Sequence, residues 1–253
     1  MPKPPTDDAY RLEVVADGDA MSQRAAEVVA DAVAAKPDLV LAMPTGSTPV
    51  GLFRRLAARA EAGEVDFSRV RLVTLDEYVG LPEGDPNRLV VWLRNVFAGP
   101  VGIADDRILA VPADAPDPVA AAARFEADLA VLGGLDLAVL GIGANGHIAY
   151  NDPPAAVNSR TRVVPLAVSS VAGAAQAWHP TCPVGTHAMT VGVGTLLGAK
   201  RIVLIASGAG KAEIVRRALM DPMSEDVPAS WLGRAGDRLT VILDRGAAAR
   251  LSH

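Results

Sequence analysis

Apolar positions along the chain fall into two alternating patterns. Short runs at 12–16, 39–43, 71–75, 107–111, 136–140, 201–206 and 239–243 are built mainly from Val, Ile, Leu and Ala with few polar interruptions. Such runs predict strands covered on both faces, as in a parallel sheet. Between them, apolar residues recur at three and four positions over 20–35, 50–62, 118–132 and 209–220. That spacing predicts amphipathic helices. Strand followed by helix at this pitch predicts an α/β fold, a doubly wound, Rossmann-like and mostly parallel sheet with helices on both faces. No repeat or linker interrupts it. Residues 11–253 therefore read as a single domain behind a polar, Pro-rich and flexible N-terminus at 1–10.

Composition narrows the function classes. Half of the 253 residues are hydrophobic, enough to bury a core without metal or disulfide support, and Cys182 is the single cysteine. The net charge of −5 contains no basic block, so a nucleic-acid partner is not expected. No apolar run approaches the length of a membrane span, and the N-terminus lacks a signal peptide's hydrophobic stretch. The expectation is a cytoplasmic protein without a membrane partner; homo-oligomerisation is left open.

In an open parallel sheet, ligands bind beyond the carboxyl ends of the strands. Four such junctions carry unusual chemistry: 44–49, 76–82, 141–153 and 207–211. Gly141-Ile-Gly143-Ala-Asn-Gly146 matches the dinucleotide pattern, but no Asp or Glu occurs between Asp152 and Glu213 to hold a ribose. Pro153-Pro154 also argues against an immediate long helix. The nicotinamide reading fails, and Gly143 and Gly146 instead suit a backbone that turns tightly against a small ligand. His147 and Asp152, on the same loop, can form a proton-transfer pair; the blander alternative is a histidine bonded across a turn. Asp76 and Glu77 directly follow a strand, where carboxylates are costly to bury unless paired or used. They are either a solvated turn or helix cap, or Asp76 is a general base and Glu77 points elsewhere. Thr45, Gly46, Ser47 and Thr48 precede a helix and suit an anion cradle, and Lys211 ends a second Gly-rich turn that is not a Walker loop. Two cradles suggest a phosphorylated small molecule, against plain helix capping. His179, Cys182 and His187 fit no standard zinc spacing, so no metal is expected. The absence of a G-x-S-x-G elbow disfavours an α/β-hydrolase.

Taken in order, Pro-Thr-Gly-Ser-Thr-Pro (44–49), Leu-Asp-Glu-Tyr-Val-Gly-Leu-Pro (75–82), Gly-Ile-Gly-Ala-Asn-Gly-His-Ile-Ala-Tyr-Asn-Asp-Pro (141–153), Ser-Arg-Thr-Arg (159–162) and Thr-Val-Gly-Val-Gly-Thr-Leu-Leu (190–197) resemble the glucosamine-6-phosphate deaminases over nearly the whole chain. The 6-phosphogluconolactonases share the fold but usually carry Asp-Glu-Arg and Gly-His-Thr-Ala-Ser-like motifs. The resemblance implies conversion of an amino-sugar phosphate, glucosamine 6-phosphate, to fructose 6-phosphate and ammonia with no cofactor. It also implies roles. His147 would open the ring, and Asp76 would move a proton from C2 to C1. Asn145 and Asp152 would orient His147 and help the departing amine. Thr45, Gly46, Ser47, Thr48 and Lys211 would hold the phosphate.

Several positions depart from that pattern. Asp152 stands where the family usually has Glu, and a carboxylate withdrawn by about 1.5 Å can cost about a hundredfold in rate unless the loop compensates. Asn145 occupies a position that is Asp in some members and Asn in others, so it is the milder change. Gln176 stands where a phosphate-clamping arginine is expected, and Arg88-Leu89 replaces a usual Ser-Tyr. Either Arg88 supplies the missing cation, or the enzyme takes a different amino sugar or one without phosphate. Arg162 is kept but Val164 is apolar, so activation by N-acetylglucosamine 6-phosphate is not expected. The competing readings are a lactonase in which His147 activates water, and a non-catalytic sugar-phosphate-binding protein.

Overall fold

The computed structural model describes residues 10–168, 170–171 and 185–251. Ten strands run through it: β1 (Arg11–Val15), β2 (Val40–Met43), β3 (Arg71–Thr74), β4 (Asp76–Tyr78), β5 (Ile108–Leu109), β6 (Leu137–Gly141), β7 (Arg162–Pro165), β8 (His187–Thr190), β9 (Arg201–Ala206) and β10 (Leu239–Asp244). Seven of them pair in the order β1-β10-β9-β6-β2-β3-β5, every pair parallel. Successive side chains point to opposite faces of a strand, and here each face has its own core. Val40, Ala42, Ala138, Leu140, Ile202 and Leu204 enter one, while Leu41, Met43, Leu137, Val139, Val203 and Ile205 enter the other. This two-sided burial is why the strands read as continuous apolar runs.

Helices close both faces. α1 (Gly18–Ala35) and α2 (Val50–Glu61) bury Met21, Val29, Leu52 and Phe53 in the second core. α3 (Leu89–Leu93) contributes Leu93 to the same side. α4 (Pro118–Val131) and α5 (Ala212–Met220) bury Phe125, Leu129, Ile214 and Val215 in the first. Local signals set the starts. The Asp17 side chain accepts the Ala20 N–H, and Asp117 accepts those of Val119 and Ala120 ahead of Pro118, so both carboxylates satisfy donors that an N-terminus leaves unpaired. Boundaries elsewhere lie within a residue or two of the periodicity. Two differ more. The run 107–111 shrinks to Ile108–Leu109, and 209–220 opens as a 3-10 turn, Ala209–Lys211, before α5.

A second, three-stranded sheet was not foreseen. It pairs β4, β8 and β7 antiparallel, with Asp76 and Arg162 both opposite Thr190. The chain crosses into it at Leu75, whose carbonyl accepts the Val191 N–H. The expected turn at Asp76-Glu77-Tyr78 is thus a strand buried on all three residues. Among the described residues, no helix is long and apolar enough to cross a membrane.

Candidate active site

The ends of four parallel strands and the second sheet enclose a cleft of about 280 Å³. β2 contributes Pro44 to Pro49, and the step from β3 to β4 contributes Leu75 and Asp76. The loop after β6 brings Gly141 to Ala144, His147, Ala149 and Tyr150; Lys211 follows β9. All four junctions singled out in the sequence therefore meet at one sheet edge. Asp76 and His147 open onto the same cavity.

Asp76 is held by a strand, not a loop, and is 6% exposed. Burial raises its carboxyl to about 7, and the negative charge of neighbouring Glu77 pushes the same way. Glu77 points elsewhere. Its carboxylate accepts the backbone N–H groups of Tyr78, Leu89 and Val90 and lies 3.5 Å from the Arg88 guanidinium. The two readings of this pair are divided between its members, with Glu77 capping α3 and Asp76 facing the cleft.

His147 is oriented from several sides. Its Nδ1 lies 2.9 Å from Asp152 Oδ1, and its backbone N–H donates to Asn145 Oδ1 at 3.2 Å. The ring packs so closely on Gly143 that a Cβ there would sit 2.3 Å from the imidazole. Glycine at 143 therefore makes room for the ring itself. Gly146 has a φ of +89°, open to glycine at little cost, and its α-carbon faces Val227 and Ile214, not the cleft. Asn145 and Asp152 stand behind His147. Burial would raise the Asp152 carboxyl, but hydrogen bonds from His147, Asn145, the Ala167 N–H and Ser170 together hold it well below the carboxylate range. Asp152 is thus a fixed negative charge beside the imidazole.

Thr45, Gly46, Ser47 and Thr48 also line the cleft, ahead of a helix with no side-chain hydrogen bond from its N-cap, Pro49. Ordinary capping is not what these hydroxyls do. Lys211 is half-buried, which lowers its pKa, and its Nζ donates to the Ile142 carbonyl at 2.7 Å. Arg88 does not join them. Its side chain is buried against Asp114 at 2.9 Å and against Glu77, so the expectation that it offers a cation to the ligand is corrected. A guanidinium spent on two carboxylates has no charge left to present. Gln176, His179 and Cys182 lie outside the described residues. Sequence reasoning missed Ser170, a hydroxyl in the cleft wall within 2.7 Å of Asp152. No motif surrounds it, and no spacing links it to the loop after β6.

A family model for glucosamine-6-phosphate isomerases and 6-phosphogluconolactonases matches residues 17–241. The chain belongs to that family. Within it, the glucosamine-6-phosphate deaminase of Beutenbergia cavernae is 40% identical over 245 residues, covering 95% of this chain and 93% of the relative. The glucosamine-6-phosphate deaminase of Alkaliphilus metalliredigens is 34% identical over 238 residues, covering 94% and 98%. A solved structure of a monomeric glucosamine-6-phosphate deaminase superposes with a TM-score of 0.90 at 37% identity, over 95% of this chain and 99% of that one. A 6-phosphogluconolactonase from Trypanosoma cruzi superposes at 0.78 with 18% identity over 98% and 99%, which is a likeness of fold alone. Among the described residues, the cleft of this family member brings together a buried carboxylate, a carboxylate-backed imidazole and a polar cradle.

Proposed function

We propose that the protein converts glucosamine 6-phosphate and water to fructose 6-phosphate and ammonia. The observation that carries this reading is the pairing, in a single cleft, of a buried carboxyl near neutrality with an imidazole backed by a fixed negative charge. A general base works best when its pKa lies near the operating pH, and Asp76 meets that condition.

The steps follow from those two groups. The phosphate of the sugar docks on the Thr45–Thr48 backbone and hydroxyls with Lys211 beside it. His147, through the ring nitrogen that Asp152 does not engage, takes the proton of the anomeric hydroxyl and passes one to the ring oxygen. The pyranose opens to an aldehyde. Asp76 removes the proton from C2 while the C1 oxygen takes one from the substrate's own ammonium group, giving an enol that carries a neutral amine on C2. The same proton, returned by Asp76 to C1, leaves an imine at C2. Water adds there and ammonia departs, completing the ketose. A phosphorylated sugar carries a permanent charge and stays in the compartment where it is made, which is why we place the reaction in the cytoplasm.

The test is a coupled assay for ammonia and fructose 6-phosphate on a panel of glucosamine 6-phosphate, free glucosamine and 6-phosphogluconolactone. Equal yields of ammonia and ketose from the phosphorylated amino sugar are expected. Preference for free glucosamine would refute the phosphate cradle. Lactone hydrolysis without ammonia would refute the reaction, and binding without turnover would make the chain a sensor.

A further inference from the structure

Asp152 Oδ1 is the meeting point of three donors: Asn145 Nδ2 at 2.8 Å, Ser170 Oγ at 2.7 Å and His147 Nδ1 at 2.9 Å. Its other oxygen accepts the Ala167 N–H at 2.9 Å. Ser170 Oγ also lies 3.2 Å from His147 Nδ1. A hydroxyl has one proton and two lone pairs. With that proton on Asp152, what it turns to Nδ1 is a lone pair. Nδ1 therefore holds its proton between two acceptors, and the free electron pair of the ring sits on Nε2.

These partners differ in origin. Asn145 belongs to the same loop as His147 and Asp152, so its bond moves with them. Ser170 and Ala167 come from the chain beyond β7, and they tie the loop to a second element. Ser170 is the one of the two whose side chain is in the cleft wall, 5% exposed. We infer that Ser170 is a positioning residue for His147. Its hydroxyl bridges Asp152 and the imidazole, immobilises the short aspartate side chain, and keeps Nε2 turned to the substrate. The inference rests on the deaminase reading of the cleft, and its test separates the two.

Wild type, Ser170→Ala and Ser170→Thr would be compared on glucosamine 6-phosphate. Removing a hydrogen bond to a charged group costs about 10- to 150-fold. Because Asp152 keeps its other donors, kcat in Ser170→Ala should fall by about tenfold, at the low end of that range, with KM within about threefold. Ser170→Thr, which restores the hydroxyl, should return most of it. A readout independent of turnover is the downfield proton resonance of the His147 Nδ1–H, identified by its loss in His147→Gln. In Ser170→Ala this proton should exchange with water at least about ten times faster. A wild type that releases no ammonia, yet whose protected resonance weakens in Ser170→Ala and recovers in Ser170→Thr, would refute the proposed reaction and support the positioning role. An active wild type whose Ser170→Ala variant keeps kcat within about twofold and the resonance unchanged overturns the inference.

Discussion

Replacing Asp76 with asparagine should destroy activity and stabilise the fold, and both effects come from the same burial. The Asp76 carboxyl is raised from its ordinary 3.8 to about 7. Below about pH 4 it is protonated in both folded and unfolded chains, and burial costs nothing in charge. Between about pH 4 and 7 the unfolded chain ionises freely while the folded one stays neutral, so unfolding becomes progressively easier. Above about pH 7 the folded protein carries the full penalty. At about 1.4 kcal/mol per pH unit, the distance from 3.8 to about 7 amounts to about 4 kcal/mol. Asparagine has no charge to lose, so Asp76→Asn should exceed wild type in urea-unfolding free energy by up to about 4 kcal/mol at pH 8 and by little at pH 4. The burial of the new amide lowers that ceiling. The same titration sets the rate. In wild type, kcat/KM should fall about tenfold per pH unit below about pH 7 as the base protonates, and Asp76→Asn should lose at least about 10²- to 10⁴-fold. A stability gap between the two proteins that stays constant from pH 4 to pH 8 would refute the reasoning, because nothing but the carboxyl's ionisation makes it change.

Three further substitutions probe separate parts of the site. Gly143→Ala would place a Cβ 2.3 Å from the imidazole. The ring must swing aside, and kcat should fall by about a hundredfold with little change in the urea midpoint. Lys211→Met should raise KM for glucosamine 6-phosphate by about 10- to 150-fold and leave kcat within a few-fold in steady-state assays. Arg88→Ala should leave KM unchanged, because its guanidinium is committed to Asp114 and Glu77. It should instead lower the unfolding free energy by about 3–5 kcal/mol, since Glu77 keeps a buried charge without its partner.

The parallel sheet was legible because β2, β6 and β9 are buried on both faces, which leaves an apolar run that periodicity detects directly. The second sheet was not. β4 is three residues long and reads Asp-Glu-Tyr, and its partner β8 lies far along the chain. A strand that short has no period to detect, and its polar residues are buried for chemistry and capping, so their burial contradicts the pattern by which burial is inferred. The site divides the same way. Thr45, Asp76, His147 and Lys211 follow strand ends, so the fold class alone brings them together. Arg88 failed because its sequence position says nothing about where a long side chain turns. Asp114, the carboxylate it binds, is 26 residues on and carries no motif. Ser170 was invisible for a related reason: it meets Asp152 from a separate helical turn beyond β7 that no motif marks.

The site contains two carboxylates with opposite environments, Asp76 in the cleft wall and Asp152 behind His147, and under the proposed reaction that contrast divides their work. Asp76 faces a desolvating wall and a like charge, so it can take and release a proton near neutrality. Asp152 accepts four hydrogen bonds that more than offset its burial, and its proton affinity is far too low to carry a proton at neutral pH. Environments that push paired acids apart separate the shuttle from the stabiliser. Under the proposed reaction Asp152 would therefore orient His147 and stabilise its imidazolium, but it would not be the acid that protonates the departing amine. That proton has to come from His147, from Asp76 or from the substrate's own amine. The shorter side chain at 152 serves the first of these roles as well as a longer one would, provided its oxygen is delivered to Nδ1. At 2.9 Å, with Ser170 and Asn145 on the same oxygen, it is. The aspartate reaches the imidazole at hydrogen-bond distance as the chain stands, so the shorter acid by itself gives no reason to expect an inactive protein.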